Sequence, residues 1–265
     1  MGRGTRKKRG MLLVLALLLF MMTGQSAYGE GVYDWNFKPE KNNQPPTTEP
    51  HYIKLLDRYD GYFIGDTDNK NIYLTFDSGY ENGCTDVILD VLKEKNVPAA
   101  FFVTGYYFER EEDLIKRMDD EGHIVGNHSW NHPSFPDLND KEVISELSKV
   151  EEAFKTLTGK EMNYLRPPRG TFNERTMKIA KDEGYHHIFW SFAYVDWNPG
   201  AQKGKAYAYD KIMDRVHPGA VLLLHSVSKD NAAALGDVID ELKVEGYQFK
   251  SLDHLTGRQF PPFDQ

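Results

Sequence analysis

From Asn71 onward, short apolar runs alternate with longer stretches whose apolar residues recur at helical spacing. The sharpest strand pattern is Ile72-Tyr73-Leu74-Thr75-Phe76, which ends abruptly at Asp77, with Gly79 and Gly83 placed to let the backbone turn just beyond. Further strands are predicted over Ala99–Val103, His123–Gly126, Tyr164–Arg166, His187–Trp190 and Ala220–Leu224. Helices are predicted around Val87–Leu92, Leu114–Met118, Arg175–Asp182 and Leu235–Leu242. The cleanest helical stripe is Val143, Leu147, Val150, Phe154 and Leu157. Strands and helices in this alternation predict right-handed β-α-β units around a largely parallel sheet.

The chain before Asn71 has a different character. Arg3, Arg6, Lys7, Lys8 and Arg9 precede an apolar run from Met11 to Met22, and Ser26, Ala27 and Gly29 follow. A basic flank, a short apolar core and small residues describe a secretory signal over residues 1–29. The run falls short of the about 20 apolar residues a membrane span needs. Cleavage near Gly29 is expected, with retention as an N-terminal anchor the alternative. Residues 30–66 read as an aromatic, proline-dotted extension, with Asn42 to Pro46 as an exposed turn or linker. Tyr33, Trp35 and Phe37 suit a sugar groove, but packing against the main domain is the preferred use of such aromatics. A catalytic domain over 67–258 and a tail over 259–265 complete the organisation.

Charge and cysteine content narrow the function. The formal net charge is −8, and removing residues 1–29 takes away five basic and no acidic residues, leaving 27 basic against 40 acidic, or −13. So acidic a chain lacks the basic footprint that nucleic acid demands. Cys84 is the only cysteine, so no internal disulfide forms and packing alone must stabilise an exported domain.

Five polar clusters follow predicted strands. Asp77 stands at the tip of the first, where barrels and wound sheets collect their chemistry; alone, it would read better as a turn or helix cap. Asn127-His128-Ser129-Trp130-Asn131-His132 offers two imidazoles four residues apart, a spacing that suits one borderline cation such as zinc, cobalt or nickel. Pro133 makes a constrained loop more fitting there than a free helix face, and two ordinary surface histidines are the plainer reading of the pair alone. Arg166-Pro167-Pro168-Arg169-Gly170 is a stiff turn able to present an amide N–H to a developing oxyanion. Asp196-Trp197 pairs a charge that can orient an imidazole with an indole that can wall a sugar pocket. His225 ends the most apolar strand, where a partly buried imidazole near a carboxylate is poised for proton transfer, or is simply a satisfied core histidine.

Taken in order, Thr75-Phe76-Asp77-Ser78-Gly79, His128 to His132, Arg166 to Gly170, Asp196-Trp197 and Leu222-Leu223-Leu224-His225 resemble the five motifs of the polysaccharide deacetylase (NodB-homology) family, over about residues 70 to 255. The resemblance implies an α/β fold, a distorted (β/α) barrel, and metal-assisted hydrolysis of an acetamide. It implies Asp77 as general base, Arg166 as the residue that fixes it, His225 as general acid and Asp196 as the partner that orients His225. His128 and His132 match metal ligands; Arg169, Gly170, Trp197 and Leu224 match substrate-binding positions. The turn around Arg169 and the phrase His225 to Asn231 are most similar to the branch of the family that deacetylates N-acetylmuramic acid in peptidoglycan, leading to muramic δ-lactam in the spore cortex. The partners so implied are glycan strands from which an amidase has removed the stem peptides, met in the cell wall or spore cortex by a secreted or anchored monomer.

Two departures from the family pattern matter. Ser78 stands where most members carry a second, metal-ligating Asp, so a divalent ion, zinc or else cobalt, nickel or manganese, is expected to be weakly held, with Ser78 a candidate metal or water contact. Arg169 stands where many members place an aromatic residue; its planar guanidinium suits the lactyl carboxylate of muramic acid. The motifs describe the reacting acetyl group and not the sugar around it. An N-acetylglucosamine or chitin-type deacetylase, an acetylxylan esterase and a non-catalytic carbohydrate-binding protein are therefore the competing readings. The last has Ser78 alone in its favour, since mere binding needs no acid-base pair.

Overall fold

The computed structural model describes Met1, residues 31–40 and residues 42–257. The fold below is that of the described residues from Val32 onward. The signal expected over 1–29, Met1 apart, and the tail over 259–265 lie outside the described residues.

Asn71–Ser78 forms a strand in which all eight residues are buried, as its near-continuous apolar sequence requires of a strand covered on both faces. It is the third strand in chain order. Before it come β1 (Tyr33–Asp34), α1 (Pro50–Arg58) and β2 (Gly61–Tyr62). After this β3 follow α2 (Thr85–Lys95), β4 (Ala99–Val103), α3 (Gly105–Arg110), α4 (Glu112–Asp120), β5 (Ile124–Asn127) and α5 (Asp140–Thr158). The second half runs β6 (Tyr164–Leu165), β7 (Thr171–Phe172), α6 (Glu174–Asp182), β8 (His186–Ile188), α7 (Lys205–Met213), β9 (Ala220–His225), α8 (Lys229–Val244), β10 (Gln248–Phe249) and α9 (Leu252–Thr256).

The main sheet runs β3, β4, β5, β6, β8, β2 in space, with β9 and β10 also paired to β3, and every pairing is parallel. It curls until β9 meets the segments that follow β8 and β2, through single bridges at Phe192–Leu222 and Ile64–Ala220. This is the distorted (β/α) barrel expected, closed by bridges in place of a full ladder. Outside it, side chains such as Phe76, Phe101 and Leu222 pack against the helices. Inside it, Tyr73, Phe102, Tyr164, Ile188 and Val221 form a second cluster with Leu252 of α9. Hydrogen bonds from Tyr164 Oη to Asp253 Oδ1 (2.5 Å) and between Tyr73 Oη and His254 Nδ1 (3.0 Å) fasten α9 there. The strand C-termini are left for chemistry.

Helix α5 shows how local sequence sets an element. Asn139 caps it in a reciprocal capping box with Glu142, and Gly159, at φ 77°, ends it in a left-handed turn. Its buried face is the stripe Val143, Leu147, Val150 and Phe154, together with Glu146. Two predicted strands are shorter than their sequences suggested, ending at Leu165 and Ile188; α3, α7 and α9 carry no extended apolar stripe that would predict them, whereas α1, with Tyr52, Leu55, Leu56 and Tyr59 at helical spacing, was legible and missed. Among the described residues no helix is long and apolar enough to cross a membrane.

Residues 33–64, read from the sequence as an extension apart from the catalytic domain, supply β1, α1 and β2 to this same fold. β2 pairs with β8, and β1 pairs with β7 just after the Arg169 turn. Trp35 is buried against Phe189 at 4.6 Å between ring centroids and donates Nε1–H to the Trp190 carbonyl at 2.9 Å. The sequence preference for packing over a sugar groove holds at Trp35. Trp35→Ala should lower unfolding free energy by about 3–5 kcal/mol, the usual cost of deleting a buried aromatic. Urea denaturation checks this, and an unchanged midpoint would detach the segment from the folded unit.

Candidate functional site

β3 ends by placing Asp77 in the wall of a cavity of about 890 Å³ at the strand C-termini. A volume of that order accommodates a sugar unit with its neighbours. Behind Asp77 lies Arg166, fully buried just past β6. Its Nη1 donates to Asp77 Oδ1 (2.7 Å), Nη2 to Thr75 Oγ1 (2.8 Å) and Nε to the Ile188 carbonyl (2.9 Å). The guanidinium also faces the Phe102 ring at 4.3 Å. A buried cation survives only when its donors are met this completely. Burial pushes the Asp77 carboxyl upward, but Arg166, then His128 and His225, outweigh it and hold Asp77 below the usual carboxylate range. Asp77 is thus an ionised base in a largely dry wall.

His128 follows β5, and its Nδ1 lies 2.8 Å from the Arg166 carbonyl. A carbonyl accepts only, so Nδ1 carries the proton and Nε2 keeps a free lone pair. That Nε2 sits 3.4 Å from Asp77 Oδ2. The His132 ring lies 4.8 Å from the His128 ring between centroids, so the two imidazoles share one side of the cavity. The segment joining them is a loop and not a helical turn: Ser129 and His132 both take left-handed φ, 63° and 57°. Burial lowers the His128 pKa, and burial with the nearby His128 takes His132 down to about 4, so both rings are neutral donors at physiological pH.

β9 lies directly beside β3, and the register pairs Asp77 with His225. Asp196 receives His225 twice, Nδ1–H at Oδ1 (2.7 Å) and the backbone N–H at Oδ2 (2.8 Å). Asn231 Nδ2 donates to the same Oδ2 at 2.6 Å, and the Tyr194 hydroxyl in turn donates to Asn231 Oδ1. Burial alone would lower the His225 pKa, but the hydrogen bond and charge of Asp196 prevail and raise it above the ordinary histidine value. Its Nε2 is therefore a proton donor near neutral pH, on the strand next to an ionised base. Trp197, half exposed, stands 5.5 Å from the His225 ring and walls the cavity.

The remaining candidates divide. Arg169 and Gly170 line the cavity. Arg169 is exposed at φ 59°, and a Cβ on Gly170 (φ 70°) would come within 2.7 Å of the Trp190 ring, so the turn needs glycine there. Leu224, expected as a substrate contact, does not line the cavity. Side chains alternate along a strand, and Leu224 points into the helix-facing core while Leu223 lines the cavity. Ser78 is likewise displaced by alternation: it is fully buried, does not line the cavity, and leaves its Oγ without a hydrogen-bond partner. Sequence reading also missed Trp130, Asn131 and Trp190 in the cavity wall and Asn231 behind Asp196. Trp130 and Asn131 lie inside the quoted histidine motif and were legible as neighbours, though not as wall.

Among the described residues no group of three or more His, Cys, Asp and Glu side chains is arranged to hold a metal ion. The donor set is two neutral imidazoles, one with its tautomer fixed by the Arg166 carbonyl. This fits a loosely bound borderline cation with open positions, and not a closed structural site.

Residues 64–188 match the polysaccharide deacetylase family. The chain is 49% identical over 240 residues to the peptidoglycan-N-acetylmuramic acid deacetylase PdaA of Bacillus subtilis, covering 89% of this chain and 91% of that protein. It is 33% identical over 205 residues to a peptidoglycan-N-acetylglucosamine deacetylase of Bacillus cereus, covering 74% of this chain and 72% of the other. The solved structure of B. subtilis PdaA, described as a family 4 carbohydrate esterase, superposes with a TM-score of 0.83 at 50% identity over 85% of this chain and 97% of that one. With five motifs converging on one cavity and these likenesses extending well beyond it, the chain belongs to the polysaccharide deacetylase family and is a hydrolase that de-N-acetylates carbohydrate.

Proposed function

We propose that this chain removes the acetyl group from N-acetylmuramic acid residues of peptidoglycan, acting on strands whose stem peptides an amidase has already cleaved. The observation that carries the reaction is the pairing of Asp77 with His225 across β3 and β9, an ionised carboxylate beside a protonated imidazole in one wall. Groups with pKa values pushed apart are the natural base and acid of a hydrolysis.

Asp77 takes a proton from the attacking water, and Arg166 fixes the carboxylate so that Oδ2 remains open to the cavity. His225 gives a proton to the departing amine; without it the tetrahedral intermediate would expel the water oxygen again. Asp196 keeps His225 protonated and aimed. His128 and His132 would hold a divalent ion, zinc or else cobalt, nickel or manganese, which when bound polarises the acetyl carbonyl and acidifies water.

Arg169 supports the choice of sugar. Its guanidinium, at the rim of the cavity, meets the lactyl carboxylate that N-acetylglucosamine and xylose lack. A lactyl group still bearing its peptide is an amide and leaves the arginine unpaired. The N-acetylglucosamine reading draws on the B. cereus likeness, and the same cavity admits that sugar, but Arg169 then has no partner. Deacetylated, peptide-free muramic acid places a free amine and a carboxyl on one ring, the precursor of the δ-lactam of spore cortex. We assign the chain to that setting, exported or anchored through residues 1–29.

Asp77→Asn should cut acetate release by about 10²–10⁴-fold, the span of general-base catalysis, with the fold intact by circular dichroism. Substantial residual turnover would remove Asp77 from the role. Activity needs Asp77 ionised and His225 protonated. It should therefore hold from below the usual carboxylate range to above the ordinary histidine value, and fail as pH rises through the elevated His225 pKa. Asp196→Asn removes the group that elevates it, leaves burial to dominate, and should shift the alkaline limb of the pH–rate profile downward; an unmoved limb would separate His225 from that limb. Mass spectrometry of muropeptides should show mass losses of acetyl on peptide-free glycans first, with Arg169→Ala losing that preference. Equal activity of the wild-type chain on peptide-free and peptide-bearing glycans would defeat the stem-peptide preference, and loss of acetyl from N-acetylglucosamine in place of N-acetylmuramic acid would defeat the muramic reading.

A further inference from the structure

Glu146 is a carboxylate on α5 buried to about nine-tenths, and no step above uses it. Both its oxygens are engaged by one residue of the histidine loop. Oε2 accepts the Asn131 backbone N–H and Oε1 accepts Asn131 Nδ2–H, each at 2.7 Å. The grip falls inside a segment that already holds unusual backbone: Ser129 and His132 flank it at positive φ, with Ser129 Oγ accepting the His132 N–H at 3.0 Å. Left-handed conformations of non-glycine residues are strained and persist only where surroundings over-determine them. Glu146 is one of those surroundings.

The chemistry of the pair fixes more than the loop. Both Glu146 oxygens act as acceptors, so the side-chain amide of Asn131 turns its nitrogen toward Glu146. Its oxygen then points elsewhere. Asn131 is exposed and lines the cavity between the two metal-ligand candidates, so an acceptor of set orientation is offered to whatever fills it. Among the described residues Asn131 Oδ1 makes no hydrogen bond of its own.

We propose that Asn131 is a specificity-determining residue whose Oδ1 accepts a hydrogen bond from a hydroxyl or amide N–H of the bound amino sugar, and that Glu146 is the positioning residue that turns that oxygen into the cavity. The inference rests on the reading of the cavity as a carbohydrate deacetylase site and adds a contact to it. A rim acceptor rewards substrates that carry a donor at that place; a sugar lacking it leaves the amide oxygen facing an apolar group.

The test uses the full chain and N-acetylated, peptide-free glycan oligosaccharides, read by both turnover and direct titration of binding. Asn131→Ala should raise KM and the dissociation constant about three- to tenfold, the worth of one neutral hydrogen bond, with kcat within twofold. Glu146→Gln keeps the size of the clamp but introduces a donor that can face Asn131 and release its orientation; it should reproduce the KM rise without lowering the melting temperature to match. Glu146→Ala should do both. In a panel of singly deoxygenated or N-methylated glycans, one member should bind the wild-type and Asn131→Ala chains alike, identifying the donor. Wild-type KM in Asn131→Ala, or a KM unmoved by Glu146→Gln, overturns the proposal while leaving the deacetylase reading in place. Binding that Asn131→Ala weakens in a chain that releases no acetate would spare the contact and defeat that reading. A wild-type chain that neither binds nor turns over defeats both.

Discussion

Arg166 exposes no surface to solvent, and its charge is held between the Asp77 carboxylate, the Thr75 hydroxyl, two backbone carbonyls and the Phe102 ring. Removing one partner from such an arrangement leaves an uncompensated buried charge, a loss of roughly 3–5 kcal/mol. The pair therefore ties β3 to β6 and to the segment beyond β8, across the interior of the barrel. The same contact decides the chemistry. Asp77 stays ionised in a wall where burial alone would protonate it, and its Oδ1 is committed to Arg166 while Oδ2 faces His128 and the cavity.

Around that pair the sheet imposes an electrostatic asymmetry. The parallel register of β3 and β9 sets Asp77 beside His225, two groups of opposite charge that also raise each other's tendency to ionise. Asp196 separates their roles by binding the far nitrogen of the imidazole, with Asn231 and Tyr194 holding Asp196 in turn. Proton donor and proton acceptor are thereby set before substrate arrives, which is the preorganisation that catalysis depends on. Three of the left-handed non-glycine residues, Ser129, His132 and Arg169, fall in the same place, in the two loops that carry the candidate metal ligands and Arg169, while others, such as Asp60 and Asn96, lie elsewhere.

The N-terminal segment shows that the site is supported from outside its own motifs. Trp35 donates to the Trp190 carbonyl, and its backbone N–H reaches the Gly170 carbonyl at 2.8 Å. Gly170 and Trp190 both line the cavity. Residues that carry no chemistry thus brace the turn presenting Arg169, and β1 continues the brace by pairing with β7.

Local sequence determined a good deal of this protein. The buried strands β3, β4 and β9 and the striped helix α5 follow from side-chain period alone, because burial on two faces or on one stripe leaves a direct trace in the order of residues. The identities of Asp77, His128, His132, Arg166, Asp196 and His225 were legible too, since Asp77, His128, Arg166 and His225 end a strand or open the loop after it, and His132 and Asp196 stand in the polar runs farther along such loops. Tertiary structure alone decided which neighbours of the motifs face the cavity. Leu223 and not Leu224 lines it, and Ser78 is turned from it, because the pleat exposes alternate residues and its phase is set by pairing with distant strands. The same holds for Glu146, a polar residue within an apolar helical stripe, whose partner lies 15 positions away in a loop. Spacing along the chain carries no record of such a meeting; only the packing of α5 against the end of β5 brings it about.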